Sequence, residues 1–199
     1  MATRDDFNRA TFDNGNWSAV AGSMWVTNGS ATARPVSLSS LSIVRRAAAA
    51  FPNDQYAQCR CEWVSYGGGN SYGGIGVRLD GSGNGYFARV TSGGIVELRK
   101  IVAGVNTFLG DYSAGVGSNS LIELKLVATG TSIQLYISGF LQISVTDASI
   151  ASGKPGMQGY AETTGTQPDA DDFECTDATG SAAGEGDFKF FAFRNWKQA

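Results

Sequence analysis

A chain of 199 residues, of which 42% are hydrophobic, is long enough to bury one large core, and 27 glycines against 4 prolines indicate many turns. The net charge of −3 provides no basic surface, which argues against nucleic-acid binding. The chain has no histidine, which excludes Ser-His-Asp and Cys-His catalysis and any histidine-ligated metal.

The first part of the chain is predicted to be a series of short strands. Asp5-Asp6-Phe7 opens the first strand, and residues 23–27 form another. Residues 38–50 are ambiguous, because their alanines favour helix while Ser42-Ile43-Val44 favours strand. We assign them to a strand because the surrounding pattern is β.

The next strand alternates clearly between apolar and polar residues, which predicts one buried face. Its apolar positions are Ala57, Cys59, Cys61 and Trp63. Two cysteines that are two residues apart on one strand are poorly placed for a bridge. Because the total of three cysteines is odd, we expect buried free thiols, including Cys175, rather than a disulfide framework.

Two glycine-rich segments follow. Residues 66–74 are predicted to be a surface loop in which Tyr72 could face a ligand. The run Asp80-Gly81-Ser82-Gly83-Asn84-Gly85 has oxygen-bearing side chains at alternate positions, as a calcium loop does, but its twelfth position is Thr91 instead of glutamate. A β-hairpin turn is the favoured interpretation.

Residues 122–145 give the strongest pattern in the chain. Three apolar–polar alternations are separated by the turns Thr129-Gly130-Thr131 and Ser138-Gly139, which predicts an antiparallel meander of three strands. Leu135 lies on the buried parity and Gln134 on the opposite one. A single apolar face needs a second layer to cover it, so the fold class is all-β, a two-sheet antiparallel β-sandwich.

The last strands are predicted to close the domain. Residues 163–170 are interpreted as a loop and residues 172–176 as a strand. Asp171-Asp172-Phe173 repeats Asp5-Asp6-Phe7 near the opposite end of the chain, so we expect strands from both termini to lie side by side. The sandwich domain is therefore assigned to residues 1–177.

The composition changes after this domain. Residues 178–186 have the composition of a flexible linker, and residues 187–199 form an aromatic arm. The aromatic side chains of the arm are Phe188, Phe190, Phe191, Phe193 and Trp196. Burying such a side chain stabilises by about 1.5–3 kcal/mol, so we expect the arm to dock on a protein partner. An added edge strand on its own sandwich is the alternative.

Candidate ligand contacts lie at the polar positions of the central strands and in the glycine-rich loop. They are Gln58, Arg60, Tyr72, Arg78 and Arg89. A polar sheet face of this kind could bind a glycan or a partner protein, or it could simply be solvated. Separately, Asp147, Asp169 and Asp171 could form a calcium site at the loop rim, with solvated acids as the alternative.

A set of short motifs is spread along residues 5–174. They are Asp5-Asp6-Phe7, Gln55-Tyr56-Ala57, Gly76-Val77-Arg78-Leu79, Asn84-Gly85-Tyr86, Leu126-Val127-Ala128-Thr129-Gly130-Thr131, Tyr136-Ile137-Ser138-Gly139, Thr146-Asp147, Ser152-Gly153-Lys154-Pro155-Gly156 and Asp171-Asp172-Phe173-Glu174. Together they resemble the concanavalin A-like lectin/glucanase superfamily, close to laminin-G-like jelly rolls. The resemblance implies two packed antiparallel sheets, one of them concave, with ligands on the concave face or the loop rim.

The resemblance also has implications for activity. The glucanase branch has a Glu-x-Asp-x-x-Glu strand, which this sequence lacks, so catalysis does not carry over and we expect no enzyme activity. The lectin branch binds metal close to a histidine, which this sequence also lacks, so no cofactor is expected apart from the possible calcium ion.

Modules of this kind also occur in bacteriophage particles, as capsid decorations and tail adhesins. Residues 1–6 contain no apolar segment that would indicate a secretory signal, and no run approaches the roughly 18 apolar residues of a membrane span. We therefore expect a non-catalytic decoration or adhesion protein of the virion surface, made in the host cytoplasm, that docks on protein partners and forms a homo-oligomer. A carbohydrate-binding module is the alternative, and a glycoside hydrolase is less favoured.

Overall fold

The computed structural model describes residues 3–8, 12, 15–27, 32–48, 50–62, 70–115, 117, 120–163 and 166–176. These ranges contain strands and no α-helix, and so no helix in them could span a membrane. The strands are β1 (Thr3–Asp5), β2 (Trp17–Ala21), β3 (Val26–Thr27), β4 (Ala33–Arg34), β5 (Ser42–Arg46), β6 (Gln55–Glu62), β7 (Ser71–Leu79), β8 (Gly85–Thr91), β9 (Ile95–Val102), β10 (Val105–Ser113), β11 (Leu121–Thr129), β12 (Ser132–Ile137), β13 (Phe140–Thr146), β14 (Lys154–Ala161) and β15 (Asp169–Cys175). Trp63, the predicted linker 178–186 and the predicted arm 187–199 lie outside the described residues.

The strands form two antiparallel sheets that pack face to face. Sheet I has the strand order β13-β12-β11-β6-β15-β4-β3, and β1 also pairs with β15. Sheet II has the order β10-β9-β8-β7-β14-β5-β2. The predicted all-β sandwich is therefore confirmed, and the ambiguous residues 38–50 contain strand β5 instead of a helix.

The predicted meander forms one edge of sheet I. Its strands β11, β12 and β13 are neighbours, and the register places Leu126 opposite Leu135 and Leu135 opposite Ile143. These three side chains are buried in the core, whereas Gln134 is only partly buried. The period-two pattern thus identified the buried face correctly.

The core lies between the inner faces of the two sheets. Sheet I contributes Cys59 and Leu124, and sheet II contributes Ile75 and Val77, to a single continuous apolar cluster. Cys59, Cys61 and Cys175 are all buried and free, as expected from their spacing. Burial, together with the neighbouring Cys61 thiol, raises the pKa of Cys59, so this thiol is not an activated nucleophile.

The two termini of the described chain lie side by side, as the repeated Asp-Asp-Phe motif predicted. Strand β1 pairs with β15 so that Asp5 lies opposite Phe173. The indole Nε1 of Trp17 donates to Asp5 at 2.7 Å, and the Trp17 ring packs edge-on against Phe173 at 4.9 Å between centroids. These contacts connect sheet I to strand β2 of sheet II.

Strand β15 begins earlier than the sequence predicted. Asp169 and Ala170 were interpreted as the end of a loop, but they pair with Glu62 and Cys61 of β6. The physical reason is a contact distant in sequence, because Arg34 binds Asp169 through two parallel hydrogen bonds of 2.8 and 2.6 Å. An acid-rich segment is thereby held within the sheet.

Candidate ligand-binding face

Sheet II has one face in the core and one face outside it. In β7, Ile75 and Val77 belong to the core, so Tyr72 and Gly74 lie on the outer face. In β8, Ala88 and Val90 belong to the core, so Phe87 and Arg89 lie on the outer face.

The strand register aligns outward residues from five strands in one row across sheet II. In order from β14 to β10, the row consists of Gln158, Gly74, Arg89, Glu97 and Asp111. A neighbouring row places Tyr160 of β14 directly opposite Tyr72 of β7. Because adjacent strands are about 4.8 Å apart, side chains within each row are close enough to touch.

Four of these outward side chains, together with Arg99 of β9, form a continuous series of contacts, which we call the ladder. The rings of Tyr160 and Tyr72 are stacked, with centroids 5.2 Å apart and planes 14° apart. The guanidinium carbon of Arg89 lies 3.9 Å from the centroid of the Tyr72 ring. Arg89 Nε donates to Glu97 at 2.8 Å, and Arg99 Nε donates to the same carboxylate oxygen at 2.9 Å.

The surroundings of Glu97 and Tyr72 determine whether each of these side chains is ionised. Burial alone raises the pKa of Glu97, but the hydrogen bonds from Arg99 and Arg89 outweigh it, so the pKa of Glu97 is lowered. Burial raises the pKa of Tyr72, so its hydroxyl stays protonated at neutral pH. Glu97 is therefore an anion between two cations, and Tyr72 remains able to donate and accept hydrogen bonds.

The stacking determines which surfaces of the ladder a ligand can reach. Tyr160 packs on one face of the Tyr72 ring, and Arg89 packs on a Tyr72 ring face as well. The Tyr72 ring is therefore held between its neighbours, and both tyrosines are partly exposed. Arg89 uses Nε for Glu97, and a side-chain hydrogen bond also joins it to Tyr72.

Gly74, which lies in the row between Gln158 and Arg89, is a point of close approach between β7 and β8. A Cβ atom at Gly74 would lie 2.0 Å from the carbonyl oxygen of Ala88, so the local backbone approach admits only glycine. Gln158 is 2% exposed, and its Nε2 has no hydrogen-bond partner within the described part of the chain. Gly74, Gln158 and Arg89 are all buried, so this part of the row is closed to solvent.

The other half of the outer face is closed by apolar side chains. A second cluster consists of Ile43, Leu79, Phe87 and Ile101. The turn between β7 and β8 lies over this cluster, since a Cβ atom at Gly83 would be 3.5 Å from Ile43 Cδ1. The ladder lies in the other half of the outer face, where four of its five side chains are partly exposed.

The structure divides the predicted ligand contacts between the two sheets. Tyr72 and Arg89 come together in the ladder, and Tyr72 lies on strand β7 instead of in the predicted loop of residues 66–74. Gln58 and Arg60 lie on β6, on the outer face of sheet I. The predicted residues therefore do not form one common face.

Arg78 does not belong to a ligand-binding face. The side chain is 2% exposed, and the backbone has a φ of 55°, which interrupts the alternation of β7. Its guanidinium donates to the carbonyl oxygens of Asn53, Gly130 and Ile150 at 2.9, 2.8 and 3.0 Å. Its placement on a polar outer face was wrong, because these three carbonyl groups draw the side chain into the structure.

The three predicted calcium ligands do not converge. Asp147 accepts hydrogen bonds from Tyr86 at 2.7 Å and from Lys100, whereas Asp169 is bound by Arg34. Asp171 accepts a hydrogen bond from the backbone nitrogen of Asp172 at 2.7 Å. Across the described residues, no group of three or more acidic, cysteine or histidine side chains is placed to hold a metal ion.

The outer face of sheet I is a charged surface of a different kind. Arg60 lies opposite Asp171 of β15 and opposite Glu123 of β11. Burial, and then the nearby charge of Asp172, raise the pKa of Asp171 to about 6. Burial also raises the pKa of Glu123. Among its described residues this face has carboxylates around an arginine and a contact of 5.0 Å between Lys125 Nζ and the Tyr56 ring, but no pair of stacked rings.

Four residues of the site were missed by the sequence interpretation. They are Glu97, Arg99, Gln158 and Tyr160. Alternation around the core residue Met157 would have assigned Gln158 to an outer face. The pairing of β14 with β7 joins residues about 80 positions apart, and local patterns do not indicate such a partner.

No protein-family model and no curated protein sequence matches the chain. Solved structures do share its fold. A carbohydrate-binding module from Bacillus subtilis, CBM66, has a TM-score of 0.66 and 20% identity over 81% of this chain and 96% of that chain. A β-glucanase from Bacillus licheniformis has a TM-score of 0.65 and 13% identity over 88% of this chain and 98% of that chain.

A third similar structure belongs to a larger protein. A GlcNAcα1-4Gal-releasing endo-β-galactosidase from Clostridium perfringens has a TM-score of 0.66 and 10% identity, and the match covers 90% of this chain and 63% of that chain. At these identities the likeness shows the fold alone. The chain has the jelly-roll β-sandwich fold that carbohydrate-binding modules and glycoside hydrolases share, as the resemblance to the concanavalin A-like superfamily implied.

Proposed function

We propose that this chain is a non-catalytic carbohydrate-binding module that holds a glycan against the ladder of sheet II. The observation that supports this most strongly is the unbroken contact series from Tyr160 through Tyr72 and Arg89 to Glu97 and Arg99. Aromatic rings offer an apolar surface to the C–H face of a sugar, and guanidinium groups donate paired hydrogen bonds to its oxygens. Both features are fixed on strands, so little ordering is needed on binding.

The ionised form of Glu97 supports a role in binding over a role in hydrolysis. Glycoside hydrolysis needs one protonated carboxyl group and a second carboxylate about 5–10 Å away. Two arginines hold Glu97 in the ionised form, which makes it unsuited to act as the general acid. Its neighbour in the row, Asp111, is exposed to solvent.

The fold is compatible with this proposal, because proteins named for carbohydrate binding or glycan cleavage share it. A place on the surface of a bacteriophage particle gains no support from these similar structures and stays a prediction. Homo-oligomerisation and docking of the arm 187–199 on a protein partner also stay predictions. Glycan binding by the ladder depends on none of them.

A glycan array followed by calorimetric titration tests the proposed function. The wild-type chain should bind at least one glycan, and Tyr160→Ala and Arg99→Ala should each weaken binding at least tenfold. Tyr136→Ala is the matched control, because Tyr136 is a half-buried tyrosine on the outer face of sheet I. Absence of binding to any glycan, or equal weakening by Tyr136→Ala, would contradict the proposal.

A further inference from the structure

We propose that the binding site continues beyond the ladder to Phe108 on β10, and that its ligand is a neutral, linear oligosaccharide with one sugar on Tyr160 and a distant one on Phe108. This inference rests on the proposed function and adds a ligand class and a second sugar platform to it. Phe108 is 50% exposed, although it is a large apolar side chain on the edge strand of sheet II. The ring is therefore open to a ligand without any rearrangement.

Phe108 adjoins the last member of the ladder. It lies directly opposite Arg99 in the pairing of β10 with β9, and the guanidinium carbon of Arg99 is 5.5 Å from the centroid of the Phe108 ring. An irregularity between Phe108 and Gly110 shifts the register, so that Phe108 and Asp111 both lie on the outer face. The series of contacts that begins at Tyr160 therefore continues to the edge of the sheet.

A polar side chain accompanies the Phe108 ring. Asn106 is exposed two residues before Phe108 on the same face of β10, and its Oδ1 accepts a hydrogen bond from Arg99 Nη1 at 3.2 Å. This bond uses the oxygen of the amide, and within the described part of the chain the amide nitrogen has no partner. An aromatic ring beside an amide donor matches the C–H face and the hydroxyl groups of a sugar.

The charges in this part of the face balance. The outward charged side chains of β8, β9 and β10 are Arg89, Glu97, Arg99 and Asp111. Two positive charges therefore face two carboxylates, and both arginines bind Glu97. An ionic ligand group has to compete with these pairs, whereas the hydroxyl groups of a neutral sugar donate and accept hydrogen bonds without displacing them. The balance favours a neutral glycan over an acidic one.

The separation of the two platforms predicts the length of the ligand. Tyr160 on β14 and Phe108 on β10 are four strand spacings apart across sheet II. The row of Tyr160 meets β9 near Ile95, which is four residues from Arg99, the partner of Phe108. The diagonal between the platforms is therefore about 24 Å, roughly the length of four or five linked pyranose rings. A disaccharide is too short to reach both platforms, and a hexasaccharide is long enough.

The test measures binding of the two-sugar and six-sugar members of the cello-, xylo-, laminari- and malto-oligosaccharide series by calorimetric titration. The wild-type chain should bind the hexasaccharide of at least one series at least about tenfold more tightly than its disaccharide. This ratio should fall below about threefold in Phe108→Ala and should be kept in Phe108→Trp. Phe140→Ala is the matched control with the wild-type ratio, because Phe140 is a 72% exposed phenylalanine on sheet I.

Equal affinities for hexasaccharides and disaccharides, or a wild-type ratio in Phe108→Ala, would overturn this inference while the proposed function stands. Tighter binding of hexagalacturonic acid than of every neutral hexasaccharide would also overturn it. Light scattering tests a second copy of the chain as the occupant of Phe108: reduced self-association of Phe108→Ala with intact hexasaccharide binding would assign the ring to a subunit interface. Binding on the glycan array without binding of these probes would overturn the inference alone, and absence of all glycan binding would overturn both proposals.

Discussion

The guanidinium Nη1 of Arg78 donates a hydrogen bond to the backbone oxygen of Ile150 at 3.0 Å. Through its other nitrogens the same side chain reaches Asn53 and Gly130. A residue of β7 in sheet II thus connects three loops: the one before β6, the β11–β12 turn and the one between β13 and β14. These loops close one end of the sandwich.

Arg78→Ala should therefore lower the free energy of unfolding by about 3 kcal/mol, because it leaves three carbonyl groups without their donor. Denaturant unfolding measures this change. Arg60→Ala is the control, since the Arg60 side chain is partly exposed and its contact with Asp172 is 3.4 Å long. Arg60→Ala should lower the free energy of unfolding by less than about 1 kcal/mol. Equal losses for both variants would show that Arg78 does not connect the loops as described.

Leu135→Ala should destabilise the protein by about 2–5 kcal/mol, because Leu135 is fully buried in the middle of β12. Gln134→Ala, one residue earlier and on the opposite face, should change the unfolding free energy by less than about 1 kcal/mol. Denaturant midpoints compare the two. Midpoints that shift equally would contradict the assignment of the inner and outer faces of sheet I.

Strong period-two patterns made much of the fold predictable. The meander of residues 122–145 and the alternation around Cys59 each identify an inner face from local sequence alone. The pairing of β1 with β15 was also predictable, because Asp5-Asp6-Phe7 and Asp171-Asp172-Phe173 are repeated motifs at opposite ends of the domain. In each case the signal lies within one strand or in a direct repeat.

The candidate site was less predictable for a physical reason. Tyr72 and Arg89 were recognised as candidates, but the ladder depends on β14 lying beside β7, a pairing between distant segments. Arg78 shows the opposite error, since local alternation placed it outside while its positive φ and carbonyl partners bury it. Register between distant strands is set by tertiary packing, which local sequence does not report.

The titration of Asp171 should lower the free energy of unfolding as the pH rises. Its folded pKa of about 6 lies above the ordinary value near 3.8, so the folded state holds a proton that the unfolded state loses first. Stability should decrease between about pH 4 and pH 6 and stay lower above that range. Asp171→Asn should raise stability at pH 7.5 by about 1 kcal/mol, a value discounted for partial exposure, and should have little effect at pH 3.5.

Thermal melts of the wild type and of Asp171→Asn at both pH values test this assignment. Asp111→Asn is a suitable comparison, because Asp111 is exposed on β10 and its substitution should change the melting temperature little. A stabilisation by Asp171→Asn that is equal at pH 3.5 and pH 7.5 would show that titration of this carboxyl group is not its cause.

The purified chain should not hydrolyse the glycans that it binds. Glu97 is kept ionised by Arg89 and Arg99, so it cannot serve as the general acid that glycoside hydrolysis needs. Product analysis after prolonged incubation, compared with a protein-free blank, measures this directly. Turnover that disappears in Glu97→Gln or Asp111→Asn would show that the ladder is catalytic.

The most direct test of the central claim is to map the bound glycan by amide chemical shifts, using the glycan that gives the strongest array signal. Binding at the ladder should shift the amide resonances of Gly74, Arg89 and Tyr160 on the outer face of sheet II. The amide resonances of Gln58 and Arg60 on sheet I should stay unchanged. Shifts confined to Gln58, Arg60 and their neighbours would contradict the account, because they would place the glycan on the opposite side of the sandwich.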